Sequence, residues 1–270
     1  MTAQMTDTAA LALHRARATP DALFLHDAAA DEVQDRLEMV NKSFSDVAIV
    51  TGFPDYWAQR FPDAKVVADT DTLDLVPGEH DLILHMMALH WANDPVGQLI
   101  QCRRALRPDG LVIAASLGGD TLQELRRALG DAEIAETGGL SPRIAPMPEL
   151  RDLGGLLQRA GLALPVADTA ILTAEYRDIW HLMRDLRAMG ETNALAARHR
   201  KPTSGRVFER AQDLYAQHFV AASGRLRASF EIQVLTGWAP DDSQPKPLRP
   251  GSAQQRLADA LSTDENPLRD

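Results

Sequence analysis

The chain has 270 residues, 45% of them apolar, with 28 Lys and Arg against 38 Asp and Glu and a formal net charge of −10. That length supports one large domain with a substantial core, and the acidic balance excludes a general binder of nucleic-acid phosphates, which needs a cationic surplus. Aromatic residues make up only 5% and Leu and Ala dominate, which favours helices packed on a sheet over an all-β sandwich, and the single cysteine, Cys102, excludes a disulfide framework or a cysteine zinc site.

No apolar run reaches the roughly 18 residues that cross a bilayer, and the first residues, with Asp7 and a weak apolar patch, make a poor secretory signal. The expectation is a protein of a reducing compartment, in the cytoplasm. Residues 1 to 20 read as frayed or weakly helical. Over 21–41, Leu23, Leu25, Val33, Leu37 and Val40 form a helical stripe, with Asp27 as its N-cap. Three short apolar runs follow, at 47–51, 65–68 and 81–86, with a helix at 55–60 between the first two. Residues 96–106 read as a helix, 107–110 (RPDG) as a turn and 111–117 (LVIAASL) as a buried strand. Apolar strands alternating with helices predict an α/β fold with a parallel sheet covered on both faces.

The second half is more helical. Thr121 stands three residues before Glu124, a capping-box pattern opening a helix over 121–129, with Asp120 beside it. Helices are predicted at 149–160, 177–189 and 207–222, and strands at 170–174 and 229–237. Beyond Ala239 the run PDDSQPKPLRPGS is a poor core former. The chain therefore divides into a helical extension (1–43), a main domain (44–238) with a helical insertion at about 120–225, and a mobile tail (239–270).

Open α/β sheets bind ligands where strands end and helices begin. The first such turn, Thr51-Gly52-Phe53-Pro54, has one glycine where a nucleotide loop usually has two or three, and it also reads as a plain strand–helix turn. Asp69 closes the second run 17 positions after Gly52, near the offset of about 20 at which an acidic side chain meets a ribose; a solvated loop aspartate is the other reading. Between Thr51 and Lys65 there is room for one crossover helix only.

Several segments carry a family resemblance: 88–94 (ALHWAND), 106–111 (LRPDGL), 118–126 (GGDTLQELR), 136–142 (ETGGLSP), 185–193 (DLRAMGETN) and Gly237-Trp238. Together they resemble class I S-adenosylmethionine-dependent methyltransferases, specifically the methyltransferase-like assembly factor of respiratory complex I with its bacterial relatives, and more distantly the biotin-pathway malonyl-carrier-protein methyltransferases. The resemblance covers about residues 44–238, weakly before Asp81. It implies a Rossmann-like sheet of seven strands, S-adenosylmethionine as cofactor, and a protein partner, with a complex I subunit whose arginine is modified as the family's example. The glycine-rich loop is eroded here and a strand–helix unit is missing, so the sheet should be shortened. Matching 66–69 to the family puts Asp69 on the third strand, whereas counting puts it on the second.

The candidates for chemistry are His90 and Trp91, just past a strand end, as a base or orienting donor and an apolar wall, and Asp120, Glu124 and Glu136, carboxylates suited to receive an arginine side chain. Each has a plainer reading: local packing for His90 and Trp91, helix capping for Asp120 and Glu124, a solvated face for Glu136 and also Glu133. Gly52, Asp69 and Met86 are the cofactor candidates, although Met86 also reads as a core filler. The 138–142 segment reads as a lid. His14, His199 and His218 have no metal-ligand spacing, and no metal site is expected. A methyltransferase acting on a protein is the leading expectation, and an assembly scaffold that kept the fold without the cofactor is the alternative.

Overall fold

The computed structural model describes residues 4–147 and 149–245. The chain divides into two units, residues 1–240 and 241–270. Of the second, the described residues 241–245 form a turn in which the Ser243 hydroxyl donates to Asp241 at 2.6 Å; the remainder of the expected mobile tail lies outside the described residues.

The first unit is built on a six-stranded sheet in the order β2-β1-β3-β4-β6-β5. Its first four strands, β1 (Val47–Thr51), β2 (Lys65–Ala68), β3 (His80–Met86) and β4 (Leu106–Leu117), run parallel, as their continuous apolar sequences predict. Side chains alternate between the two faces: Leu82, Leu84, Leu111 and Ile113 enter one core, while Ile83, Val112 and Ala114 enter the other. The first core is covered by α2 (Phe24–Met39), α3 (Pro54–Arg60), α5 (Gln123–Thr137), α7 (Ile179–Ala188) and α8 (Gly205–His218); the second by α4 (Pro95–Ala105) and α6 (Leu150–Arg159).

The sheet is not parallel throughout. Strand β6 (Leu226–Trp238) runs antiparallel to β4, and β5 (Ala163–Tyr176) runs antiparallel to β6. β5 is far longer than the predicted 170–174, because it is an edge strand whose exposed side chains carry no apolar alternation, and its backbone pairs with β6 along nearly its whole length. The expected turn at 107–110 is an irregularity inside β4, where Asp109 has a φ of 58° and the pairing with β3 jumps from Leu106 to Leu111.

Three helix expectations are corrected. Residues 8–15 are a formed helix, α1 (Thr8–Arg15), capped by Asp7, whose carboxylate accepts from the Ala10 N–H at 3.1 Å. Helix α2 starts from a 3-10 turn at Pro20–Ala22, so Asp27 sits inside its first turn and accepts from the Tyr56 hydroxyl at 2.6 Å instead of capping. The capping box does not form either. α5 begins after Leu122, which has a φ of 54°, and no side chain caps it. The Thr121 hydroxyl instead bonds the backbone of Glu231 at 3.1 and 3.2 Å, and Glu124 accepts from Ser229 at 2.6 and 3.1 Å, because β6 brings stronger partners to both residues. α5 runs on to Thr137, past the predicted 129, and α8 stops at His218.

The arm before α1 is tied to the loops at the carboxyl ends of the strands. The Met5 and Thr6 N–H groups donate to Asn93 at 2.9 and 2.8 Å, and the Asp7 N–H donates to the Ala194 carbonyl at 2.8 Å. These contacts lay α1 across the ends of β1 and β2.

Candidate functional site

At the end of β1 the chain turns through Gly52, and at the end of β2, directly beside it, stands Asp69. The neighbouring strand is therefore the second one, as counting predicted, and Asp69 stands just past its end. Here it meets Arg15 from α1. One guanidinium nitrogen, Nη1, donates to both Asp69 oxygens, at 2.8 and 2.9 Å, and both side chains are nearly buried. A Cβ built on Gly52 would lie 2.1 Å from the Arg15 guanidinium, so a larger residue here would push the guanidinium out of its place. Phe53 packs below, with the Arg15 guanidinium carbon 5.8 Å from its ring centre. Among the described residues, Arg15 Nε and Nη2 are buried without a partner. Beside the ion pair runs a cleft of about 500 Å³, bordered by Gly52, Phe53, Tyr56 and Asp69. Met86, the third cofactor candidate, is fully buried in the sheet between Thr51 and Ala115 and lines no part of this cleft.

The end of β3 leads through Met87, at a φ of 51°, into the 3-10 turn Leu89–Trp91. This turn points His90 and Trp91 inward, where both meet Glu191. The Trp91 indole N–H donates to Glu191 Oε2 at 2.9 Å, and His90 Nε2 lies 3.4 Å from the same oxygen. The Leu117 N–H donates to His90 Nδ1 at 3.3 Å, so the ring proton belongs on Nε2, facing the carboxylate. Glu191 is fixed by its loop: Gly190 has a φ of 80°, and a Cβ there would come 3.3 Å from both the Arg15 backbone and the Phe53 ring. Burial pushes the Glu191 carboxyl up, but His90, the Arg15 guanidinium and the Trp91 indole outweigh it and hold the group below the usual carboxylate range.

Glu191 also lines a largely apolar cavity of about 210 Å³, walled by Trp91, Leu122, Leu125, Met183, Leu186 and Phe230, with Arg143 and Arg187 also in its lining. Among the described residues, only its Oε2 accepts a hydrogen bond, which leaves Oε1 for a ligand. A buried anion with one uncommitted oxygen in an apolar cavity is an acceptor for a cation with a long aliphatic stem. Glu191 is not singled out by spacing, because its contacts are with Trp91 and His90, about a hundred positions away; the local signals are its place in the 185–193 family-like segment and directly after a helix-ending glycine.

The three carboxylates chosen from sequence stand elsewhere. Asp120 is exposed, and its N–H donates to Glu231 at 2.8 Å. Glu124 is buried against β6, within 3.5 Å of Arg227. Glu136 faces Arg206 and Arg210 of α8 at 3.5 and 3.4 Å. The α5 carboxylate that does hold an arginine in two-pronged fashion is Glu133, which accepts from Arg143 at 2.6 and 3.2 Å and from Ser141 at 2.8 and 2.9 Å, pinning the 138–143 segment to the helix. Among the described residues, no group of three or more His, Cys, Asp or Glu is placed to hold a metal.

Four parallel strands, an antiparallel pair in which the last strand lies inside the sheet, and helices on both faces define a Rossmann-like class I methyltransferase fold, shortened to six strands. The sequence agrees: residues 28–114 match the methyltransferase domain family. The chain is 34% identical over 250 residues to the arginine-hydroxylase NDUFAF5 of Danio rerio, covering 92% of this chain and 71% of that one, and it belongs to that family. The Dictyostelium discoideum arginine-hydroxylase NDUFAF5 is 39% identical over 184 residues, which cover 68% of this chain and 42% of the relative, so the chain spans under half of that protein's length. A malonyl-[acyl-carrier protein] O-methyltransferase of Laribacter hongkongensis is 35% identical over 66% of this chain and 57% of its own. The NDUFAF5 relatives are mitochondrial by name, which overturns the expected cytoplasmic location. A low cysteine count and a poor secretory signal do not separate those two compartments.

The fold family implies S-adenosylmethionine, and the residues at the strand ends do not fit it as folded. Asp69 has both oxygens on Arg15, and the space at Gly52 holds the guanidinium.

Proposed function

We infer that this protein receives an arginine side chain of a partner protein in the apolar cavity beside β3 and β4, with Glu191 holding the guanidinium. The carrying observation is the Glu191 carboxylate, buried, ionised and anchored through one oxygen by Trp91 and His90. The family supports the reading, because the curated relatives are arginine hydroxylases by name. The partner in view is a respiratory complex I subunit, following the family resemblance.

The parts played by this chain's residues follow from their positions. Trp91 and His90 orient Glu191 and keep it charged; Leu125, Met183, Leu186 and Phe230 take the three-methylene stem of an arginine and exclude water around the ion pair. Arg15 and Asp69 close the adenosyl position to a cofactor. Calorimetric titration with a short arginine peptide tests the reading: a charge-assisted bond of about 1.5–3 kcal/mol corresponds to a loss of roughly ten- to a hundredfold in affinity for Glu191→Gln. Equal affinity of the wild type and this variant overturns it.

One observation favours a second reading, S-adenosylmethionine-dependent methylation of a protein. The cleft of about 500 Å³ lies against Gly52 and Asp69 and would be continuous with the adenosyl position once Arg15 withdrew. Cofactor binding by the wild-type protein at micromolar concentration supports this reading and contradicts a closed position.

A further inference from the structure

A second cavity, of about 350 Å³, lies beside the apolar one and has an unusual lining for a protein of net charge −10. Arg17, Arg143, Arg187, Arg198, His14 and His199 line it, and no carboxylate does. Two of the arginines are held from behind: Arg143 by Glu133 and Arg198 by Asp7, the latter at 2.9 Å. Among the described residues, the Arg17 and Arg187 side chains have no ion pair or hydrogen bond, and His14 Nδ1 is buried without a partner. Burial keeps His14 below its ordinary range, with the neighbouring Arg198 and Arg17 charges adding to it. The cavity therefore presents two exposed guanidiniums without an ion pair, Arg17 and Arg187, beside two that are already paired.

The two cavities share a wall made by Arg143, Arg187, Thr192 and Asn193. Glu191 lines the apolar side, and after a bend at Thr192 the chain reaches Asn193 in the wall that both cavities share, so the two open within two residues of each other. Alternate side chains of an extended peptide, roughly 7 Å apart, can enter one cavity each. The shared Arg143 and Arg187 would also repel a cation entering alone, so an approaching arginine needs an accompanying anion.

We propose, resting on the arginine reading above, that the partner segment carries an acidic side chain two positions from its arginine, and that Arg17 and Arg187 receive that carboxylate. The recognised feature is a paired motif, a guanidinium on Glu191 and a carboxylate in the arginine-lined cavity, and it sets which of a partner's arginines is taken. An arginine without that acidic neighbour binds about tenfold more weakly.

The test uses two peptides that differ only in Asp or Asn two positions from a single arginine, titrated calorimetrically into the full chain at matched ionic strength. The wild type binds the Asp peptide about tenfold more tightly, and this ratio falls to about one in Arg17→Gln/Arg187→Gln. Inorganic phosphate, balanced with chloride, weakens the Asp peptide more than the Asn peptide. Equal binding of the two peptides to wild type, a ratio that survives the double substitution, or phosphate acting on neither peptide overturns the proposal. If the two peptides bind equally while Glu191→Gln weakens both, the arginine reading stands and the acidic requirement alone fails. Binding of neither peptide overturns both.

Discussion

Removing Asp69 should cost this protein more than removing Asp69 and Arg15 together. The two side chains are 13% and 11% exposed, and Arg15 already has Nε and Nη2 without acceptors. In Asp69→Ala the guanidinium would be left in place with no acceptor, and breaking a buried pair in this way costs about 3–5 kcal/mol. The open cleft alongside admits water, which favours the lower end, about 3 kcal/mol. For a unit of this size, that lowers the melting temperature by roughly 6–12 °C. Arg15→Ala is milder, since the remaining carboxylate borders the cleft and hydrates. In the double variant the stranded charge is gone, and stability returns to within about 1 kcal/mol of wild type. Thermal and urea unfolding of the four proteins close the cycle. Equal losses in Asp69→Ala and the double variant, or no loss in either, would refute the ion pair as the element that seals the strand ends.

Three other outcomes follow from side chains elsewhere. His26 accepts the Trp57 indole N–H at 3.2 Å, and burial holds its pKa at about 4; the unfolded chain takes up a proton between the ordinary value and pH 4 that the folded chain refuses, so stability drops by about 2 kcal/mol from pH 7 to pH 5, and urea melts that show no pH dependence in this window contradict it. The Cys102 thiol, buried and pushed up to about 12, should resist a thiol-specific reagent at pH 8 until the protein unfolds; prompt labelling of the native protein refutes its burial. Glu133→Gln removes the acceptor that holds Arg143 and Ser141, so trypsin should cut after Arg143 several-fold faster than in wild type, and an unchanged rate would show that the 138–143 segment is held by other contacts.

The central strands were legible because both of their faces are buried, and β-branched runs such as Val47–Thr51 need no long-range information to be recognised. Helix ends marked by Gly161 and Gly190 were legible for the same local reason. Strand β5 was not, since one edge and much of its length face solvent and its order comes from β6. The Thr121–Glu124 pattern misled because a capping box competes with any better partner, and β6 supplied one from more than a hundred residues away. The place of His90 and Trp91 just past a strand end was legible in the sequence. Their partner Glu191, and the arginine that pairs with Asp69 beside Gly52, both come from segments distant in sequence, and the 8–15 stretch has too weak an apolar stripe to announce α1. Charge placement of this kind is a tertiary property that residue spacing along the chain does not encode.

The proposal that Glu191 captures an arginine is tested most directly through the indole N–H that binds the carboxylate. Trp91 is one of four tryptophans, and its side-chain resonance can be assigned with Trp91→Phe. On titration with an arginine peptide in a nuclear magnetic resonance experiment, the Trp91 indole signal should move strongly, with those of Trp57, Trp180 and Trp238 nearly still, and the shift should vanish in Glu191→Gln. A peptide that binds while the Trp91 signal stays fixed would place the guanidinium elsewhere and contradict the assignment of Glu191.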